Sequence, residues 1–337
     1  MPISAPGSCE VSVHAWSKRQ EGVAIIGALL VVTAVTVIVT GLIGRESARL
    51  DQVDNEQQRL QARWILQGGL LWVRQGLDEQ RRSDPLTHLQ QPWATGNLRL
   101  ALAPEQALYE AWIEDEQGKF NLRNLVLGSE ADPRAEGEFL RLAALLEVPP
   151  GQAQRVIARV LRSVGHAPAG AAEALAANAG QMAFDSGRDT SPNAALRYQP
   201  ASLPALRRFA DLAATPGIEP RTLERLRDYV TVLPGNTWVN ANTAPAVVLA
   251  AMVPGSELSR MQQILAERDR GLRFLNRGDF ANRLGMPGLQ ASTLRVGITS
   301  GFFLIHGRTL AQGRAVTQQA LVRRQDDGST HVLWSES

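Results

Sequence analysis

The chain has 337 residues, enough for two or three compact units with a sizeable core, which excludes a peptide hormone, a disulfide miniprotein or a disordered tail. Its 35 basic and 33 acidic residues leave a formal charge of +2, and the basic residues are arginine except for Lys18 and Lys119, so no block of charge marks a polyanion binder. The one cysteine, Cys9, permits no internal disulfide, and no Cys/His cluster has metal-ligand spacing, so zinc and iron–sulfur chemistry drop out.

The first element is apolar. From Val23 to Gly44 the chain runs 22 residues without a charge, and at about 1.5 Å per residue a helix of that length reaches about 33 Å, enough to cross a bilayer once. No later stretch approaches this, so the remainder is expected to be one soluble region on one side of a membrane. Lys18 and Arg19 precede the run while Arg45 and Arg49 follow it, so the distribution of positive charge does not orient the segment. A cleaved secretory signal would have a core of only about 7–15 residues ending in a small-x-small site, and this run is longer and lacks an Ala-x-Ala end. A plain signal anchor remains open.

A third reading starts from the charged leader Lys18-Arg19-Gln20-Glu21-Gly22, which abuts the apolar run at Val23. That arrangement resembles the processing site of type IV pilins and type II secretion pseudopilins. The resemblance implies that a prepilin peptidase cuts between Gly22 and Val23 on the cytoplasmic side, that Val23 becomes a methylated N-terminus, and that the bulk of the chain lies outside the cytoplasm. Gly22 suits the task because a missing side chain lets the backbone enter a peptidase site in extended form.

Beyond the run the pattern stays helical, with apolar or neutral residues at Leu50, Val53, Gln57, Leu60, Trp64, Gly68 and Leu71, spaced three and four apart. This predicts one helix from about Val23 to about Arg81, half in lipid and half laid on a sheet through that stripe; a coiled coil with a partner is the other use of it. Gly68, Gly69 and Gly76 are expected to permit a kink or a close approach. The period then changes to two at Leu98–Ala103 and Leu108–Asp115, a hairpin. It leads into a turn at Gly118, in which Glu114, Asp115 and Glu116 are expected to be solvated.

From 128 to 235 the sequence is alanine-rich and reads as helical without strands. The candidate helices are Glu136–Leu146, Pro150–Ser163, Leu203–Ala213 and Pro220–Val232, with loops from His166 to Gln199 around a weak helix at Ala171–Ala177. After Trp238, Thr243 is a natural N-cap with Pro245 in the first turn, and helices at Leu258–Arg268 and Arg277–Leu284 follow. Alternation at Val296–Ile305, Ala315–Arg324 and His331–Trp334 predicts three antiparallel strands around a turn at Asp326–Gly328. The fold class is therefore α+β, an antiparallel sheet interrupted by a large helical insert.

Four stretches resemble the large minor pseudopilin of type II secretion systems, the general secretion pathway protein K family: Ile113–Leu122, Leu203–Arg207 before Thr215–Ile218, Val239–Pro245, and Ser300–Phe303. With the leader they cover most of the chain. The motif positions are Gly118, Lys119, Asn121, Asn240, Asn242, Thr243 and Pro245. The resemblance implies a pilin-like fold divided into a leader (1–22), a transmembrane helix (23–44), a first pilin-like half (45–127), a helical insert (128–235), and a helix-hairpin-helix-like segment with the closing strands (236–337). It also implies a structural part and not an enzyme: a single-pass inner-membrane protein with its C-terminal region in the periplasm, capping the pseudopilus tip and supporting export of folded exoproteins. Its implied partners are the minor pseudopilins called I and J, the prepilin peptidase and the inner-membrane platform.

Ordinary pilins carry Glu at the fifth mature residue, where the carboxylate can pair with a neighbour's terminal ammonium. Here that position is Gly27, which suits a subunit with no subunit ahead of it. Family members commonly show acidic residues after the second insert helix that resemble a calcium site, which needs six to eight oxygens. This chain has one carboxylate, Glu173, between Ser163 and Glu173, with Asp185 and Asp189 nearby. The expected cofactor content is none, with calcium a minor alternative for which no ligands are assigned.

The rival function is a membrane-anchored DNA-uptake receptor, because Val239–Leu284 resembles a helix-hairpin-helix module. Its turn, Met252–Leu258, has one glycine and a carboxylate, and Arg260, Arg268, Arg270, Arg273, Arg277 and Arg283 face four acidic residues, a thin phosphate-contact surface. The histidines His14, His88, His166, His306 and His331 lie far apart, and no metalloprotease, Gly-x-Ser-x-Gly or phosphate-loop motif occurs, so catalysis is not expected. Trp64, Trp72, Trp93, Trp112, Trp238 and Trp334 are read as core and interface anchors.

Overall fold

The structure, a computed structural model, describes residues 20–102, 107–128, 130–165, 200–311, 314–325 and 327–337. The expected helix at Ala171–Ala177 and residues Glu173, Asp185 and Asp189 lie outside them. The chain divides into two units, Met1–Gln61 and Ala62–Ser337.

Helix α1 (Gln20–Ser83) runs through both. In the first unit Ala24–Ile43 is a 20-residue apolar stretch, long enough to cross a membrane and buried nowhere against protein. Its polar groups are satisfied internally: Thr33, Thr36 and Thr40 donate their hydroxyls to the carbonyls of Leu29, Val32 and Thr36 at 2.9, 2.8 and 2.7 Å. A helix in lipid needs that arrangement, since no water is there to serve as partner.

In the second unit α1 lies on a five-stranded antiparallel sheet of order β1 (Leu98–Leu102), β2 (Ala107–Asp115), β9 (Phe302–Ala311), β10 (Arg314–Arg324) and β11 (Thr330–Glu336). The expected hairpin and closing strands are present, and β9 joins them by pairing Ile113 with Ile305 on one side and Ile305 with Ala320 on the other. The core under the helix comprises Ala62, Leu66, Leu70, Val73 and Leu77 against Tyr109, Ile113, Phe303, Ile305 and Val322.

The inward face of α1 is not the stripe expected from the sequence. Trp64 and Leu71 are 75% and 60% exposed, and Val53 and Leu60 in the first unit are also exposed. The helix has two apolar stripes, and close approach decides which one meets the sheet. A Cβ built on Gly69 would lie 2.5 Å from the Tyr109 ring, and one on Gly307 would lie 2.9 Å from its hydroxyl. Tyr109, fully buried, therefore fills a slot that only two glycines leave open, and the bulky Trp64 stays outside. Gly68 and Gly76 meet nothing within 4 Å, so of the three glycines only Gly69 serves close approach.

The second core, from Phe120 to Val296, is helical. Helix α3 (Pro150–Ser163) forms where expected, and α2 (Pro133–Leu145) starts three residues before the expected Glu136, each opened by a proline in its first turn; Asp132 caps α2 by accepting from the amides of Arg134 and Ala135. Helices α4 (Pro220–Leu226), α5 (Ala246–Met252), α6 (Leu258–Asp269) and α7 (Arg277–Leu284) complete the core. The segment is not free of strands, as the sequence had suggested. The strands β4 (Val126–Leu127) and β5 (Glu130–Ala131) pair antiparallel, and β3 (Phe120–Asn121) pairs in parallel with β6 (Val230–Thr231). Two-residue strands are too short to print a period of two.

Three other boundaries move. The helix expected to reach Val232 stops at Leu226 because Val230 and Thr231 belong to β6. The helix expected from Leu203 is a 3₁₀ turn at Phe209–Ala214, started late because the Asp211 carboxylate accepts from the Arg207 and Arg208 amides. The strand expected over Val296–Ile305 splits: β8 (Val296–Gly297) pairs in parallel with β7 (Val239–Asn240), and β9 begins only at Phe302.

The Tyr109 slot gives a contrast that chemical denaturation measures. Gly69→Ala should destabilise by about 1–3 kcal/mol through overpacking, whereas Gly68→Ala, with open space and a gain in helix propensity, should stabilise by up to about 1 kcal/mol. Tyr109→Phe should cost little, because the buried hydroxyl has no hydrogen-bond partner to lose.

Candidate functional site

Most of the motif positions meet where the sheet joins the helical core, and a carboxylate read from the sequence as solvated is the centre of the arrangement. Asp115 closes β2 and is 8% exposed. Its Oδ2 accepts from the hydroxyls of Ser300 and Thr243, each at 2.6 Å, and from the Asn240 side-chain amide at 3.1 Å, while Oδ1 accepts from the Gln117 amide at 2.9 Å. Those donors come from the start of β9, the loop before α5, β7 and the 3₁₀ turn Glu116–Gly118. A single side chain thus ties four segments together. Burial pushes the Asp115 carboxyl above the usual carboxylate range, against the pull of Ser300, Thr243, Gln117 and Asn240.

The charge has a buried counterpart. Arg324, at the end of β10, donates to the Thr87 hydroxyl and the Ser300 carbonyl, both at 2.9 Å, and lies over the Phe303 ring at 4.8 Å. Burial and the repulsion of Arg81 draw its pKa down to about 10, partly restored by Asp115 and Asp78. Thr87 in turn accepts from the Ser300 amide at 3.1 Å and receives the Asn240 amide on its carbonyl at 3.0 Å.

Thr243 is therefore not an N-cap. Its hydroxyl is spent on Asp115, and Pro245 occupies the N-cap position of α5, one residue before the first turn where it was expected. Gly118 lets the turn pass close to it: a Cβ there would sit 3.2 Å from the Thr243 hydroxyl oxygen. Asn242 reaches the other way, donating to the Phe274 carbonyl at 2.9 Å and accepting from its amide at 2.8 Å. Asn121 plays the same part below, donating to the Gly235 carbonyl at 2.7 Å and accepting from Leu233 at 3.1 Å.

Lys119 adds an ion network. Its ammonium lies 2.8 Å from Glu114 and 2.7 Å from Glu116, and the buried Glu116 accepts from the Thr231 hydroxyl on β6. Burial disfavours the ammonium, but the coulombic pull of Glu116 and Glu114 outweighs it and raises the pKa. Glu114 also meets His306 at 3.1 Å, and Trp112 stacks on that imidazole at 4.7 Å. The His306 contact, opposed by burial and aided by Lys119, holds Glu114 down at about 2.

Gly22 and Val23 lie in the first turns of α1, and a Cβ at Gly27 would meet nothing within 4 Å. The sequence reading missed the roles of Asp115, Ser300, Thr87 and Arg324, although Asp115 and Ser300 stand inside stretches it singled out. Among the described residues no three His, Cys, Asp or Glu side chains are grouped to hold a metal.

The arginines proposed for DNA are largely used inside the fold. Arg268 is buried and donates to the carbonyls of Ala241 and Ala244 at 2.9 and 2.7 Å; Arg283 is held by Asp279 at 2.8 Å. Arg273 pairs with Asp84 at 3.2 Å, and Arg277 covers the Trp238 ring at 3.8 Å. That leaves little charge free for phosphates.

The chain is similar to known proteins of one kind. Two family models, both described as type II secretion system protein K, match residues 118–235 and 239–299, together more than half of the chain. The type II secretion system protein K of Pseudomonas aeruginosa is 28% identical over 329 residues, covering 94% of this chain and 92% of that protein. A chain of the GspK-GspI-GspJ complex from the type 2 secretion system of enterotoxigenic Escherichia coli superposes with a TM-score of 0.64 at 19% identity, covering 85% of this chain and 98% of that one.

Two measurements check the junction. Asp115→Ala removes the acceptor of four donors and a negative charge facing the buried Arg324, and should destabilise the fold by about 3–5 kcal/mol, more than Asp115→Asn. Glu114 titrates near 2 in the fold against an ordinary 4.5, so the stability it contributes is present above about pH 4.5 and is lost as pH falls toward 2. Urea unfolding at pH 6 and pH 3 should therefore show a smaller acid loss for Glu114→Gln than for the wild type.

Proposed function

The chain belongs to the type II secretion system protein K family of minor pseudopilins, and from that premise we propose that it caps a periplasmic pseudopilus together with minor pseudopilins of the I and J types. The observation that carries the proposal is the outer face of α1. Its inner face is filled by the protein's own sheet, while Trp64 and Leu71 stand exposed on the opposite side. An apolar helix stripe left in water suits packing against a neighbouring helix of the same kind.

In this reading residues 1–22 form the leader, the prepilin peptidase cuts between Gly22 and Val23, and 23–44 anchor the mature chain in the inner membrane with the rest in the periplasm. Residues 45–127 and the closing strands carry the pilin-like sheet, 128–235 form the helical insert, and 236–337 contain the helix-hairpin-helix-like segment. The motif residues from Gly118 to Pro245 act by joining insert to sheet, as a structural part supporting export of folded proteins.

Gly27 separates a cap from a repeating subunit. Glutamate there would place an unpaired carboxylate in the apolar half of α1, at a cost of up to about 3 kcal/mol toward the bilayer centre. Cells carrying Gly27→Glu should secrete no better than wild type, and longer fibres built mainly of this chain would overturn the cap. Processing is tested separately: replacing Gly22 with a bulky residue should leave the precursor uncut, and an unaltered N-terminus at Val23 would sink the leader assignment.

A further inference from the structure

The helical core holds a cavity that the junction does not use. Helix α3 and the segment Leu203–Pro216 border a half-open cavity of about 590 Å³. Leu203, Pro204, Ala205, Ala214 and Pro216 supply its apolar wall, and Arg159, Arg207, Asp211 and Thr215 its polar one. Two polar atoms of that wall, Nη1 of Arg159 and Oγ1 of Thr215, are buried without a hydrogen-bond partner. Folded proteins keep few such atoms, since each loses water and gains nothing in return, and a ligand is an ordinary explanation for a pair of them in one cavity.

The surroundings define the chemistry. Arg159 is held in place through Nη2, which donates to the Pro204 carbonyl at 3.0 Å, so Nη1 is fixed and idle. The neighbouring carboxylate is already occupied: Asp211 accepts from the Arg207 and Arg208 amides at 2.8 and 3.2 Å and from Arg208 Nε at 3.3 Å. Burial draws the Arg159 pKa below its usual range; Asp211 offsets part of that and Arg162 adds repulsion. The guanidinium, part-exposed as a whole, therefore turns one buried Nη1 with no bonded anion toward the same cavity wall as a hydroxyl free to donate.

We propose that this cavity binds the carboxylate of an apolar acid, with Arg159 and Thr215 donating to its two oxygens and Leu203, Pro204 and Ala214 covering its hydrocarbon part. Two donors match two oxygens. A phosphate would turn its remaining oxygens against an apolar wall, so it fits the cavity worse. A short branched free acid and the C-terminal residue of a peptide both present this chemistry.

Calorimetric titration of the full chain in detergent tests the proposal with four probes: 4-methylvalerate, N-acetyl-leucine, N-acetyl-leucinamide and inorganic phosphate. The two carboxylates should bind saturably and the amide should not. Equal binding of both acids identifies a free acid, and tighter binding of N-acetyl-leucine identifies a peptide end. Thr215→Val and Arg159→Gln should each weaken N-acetyl-leucine by about tenfold or more, the effect of losing one hydrogen bond to a charge. Thr215→Val changes no charge and little volume, so it remains informative should Arg159→Gln fold poorly. Absence of saturable binding, equal binding of the amide or of phosphate, or unchanged affinity in Thr215→Val would overturn the assignment.

Discussion

A carboxylate buried at a four-way joint constrains most of this fold. Asp115 ends β2 inside the protein, and its charge is tolerable only because Ser300, Thr243, Asn240 and the Gln117 amide all point at it, with Arg324 near enough to balance it. Each donor fixes a different stretch of chain: Ser300 sets where β9 starts, Thr243 and Asn240 set how the chain enters α5, and Gln117 shapes the turn out of the sheet. A buried charge stripped of its partners is far more costly than an exposed one. The segment entering α5 and the sheet therefore cannot shift past each other without breaking bonds at Asp115. For a part that must hold its shape in an assembly, such a joint is more useful than apolar contact alone, because hydrogen bonds specify a single arrangement.

The sequence made the long elements plain. The charge-free run, α3, α7 and the closing strands rest on local signals: uninterrupted hydropathy, proline at a helix start, and a period of two over several residues. It was misleading where contacts distant along the chain decide. Two apolar stripes on α1 look alike in one dimension, and only the meeting of Gly69 with Tyr109 says which faces the sheet. Glu114-Asp115-Glu116 looks like a surface turn because nothing local tells that Ser300, Thr231 and Lys119 will close over it. Thr243 has the side chain of an N-cap, yet a distant carboxylate takes its hydroxyl. The motif stretches marked the joint without revealing what it does.

Function follows from how the two faces of α1 are used. The small residues Ala62 and Gly69 let the helix approach its own sheet, and the large ones Trp64 and Leu71 remain outside. Burying both sides of a helix takes two surfaces, and this chain supplies one. In the proposed cap, the other is a helix of a neighbouring minor pseudopilin. The most direct measurement is photo-crosslinking in secreting cells, with a photoreactive amino acid placed in turn at positions 64, 71, 66 and 70. Adducts to other pseudopilins from positions 64 and 71, and none from the inward positions 66 and 70, are the predicted result. Silence at 64 and 71, or adducts from the inward positions alone, would contradict the account.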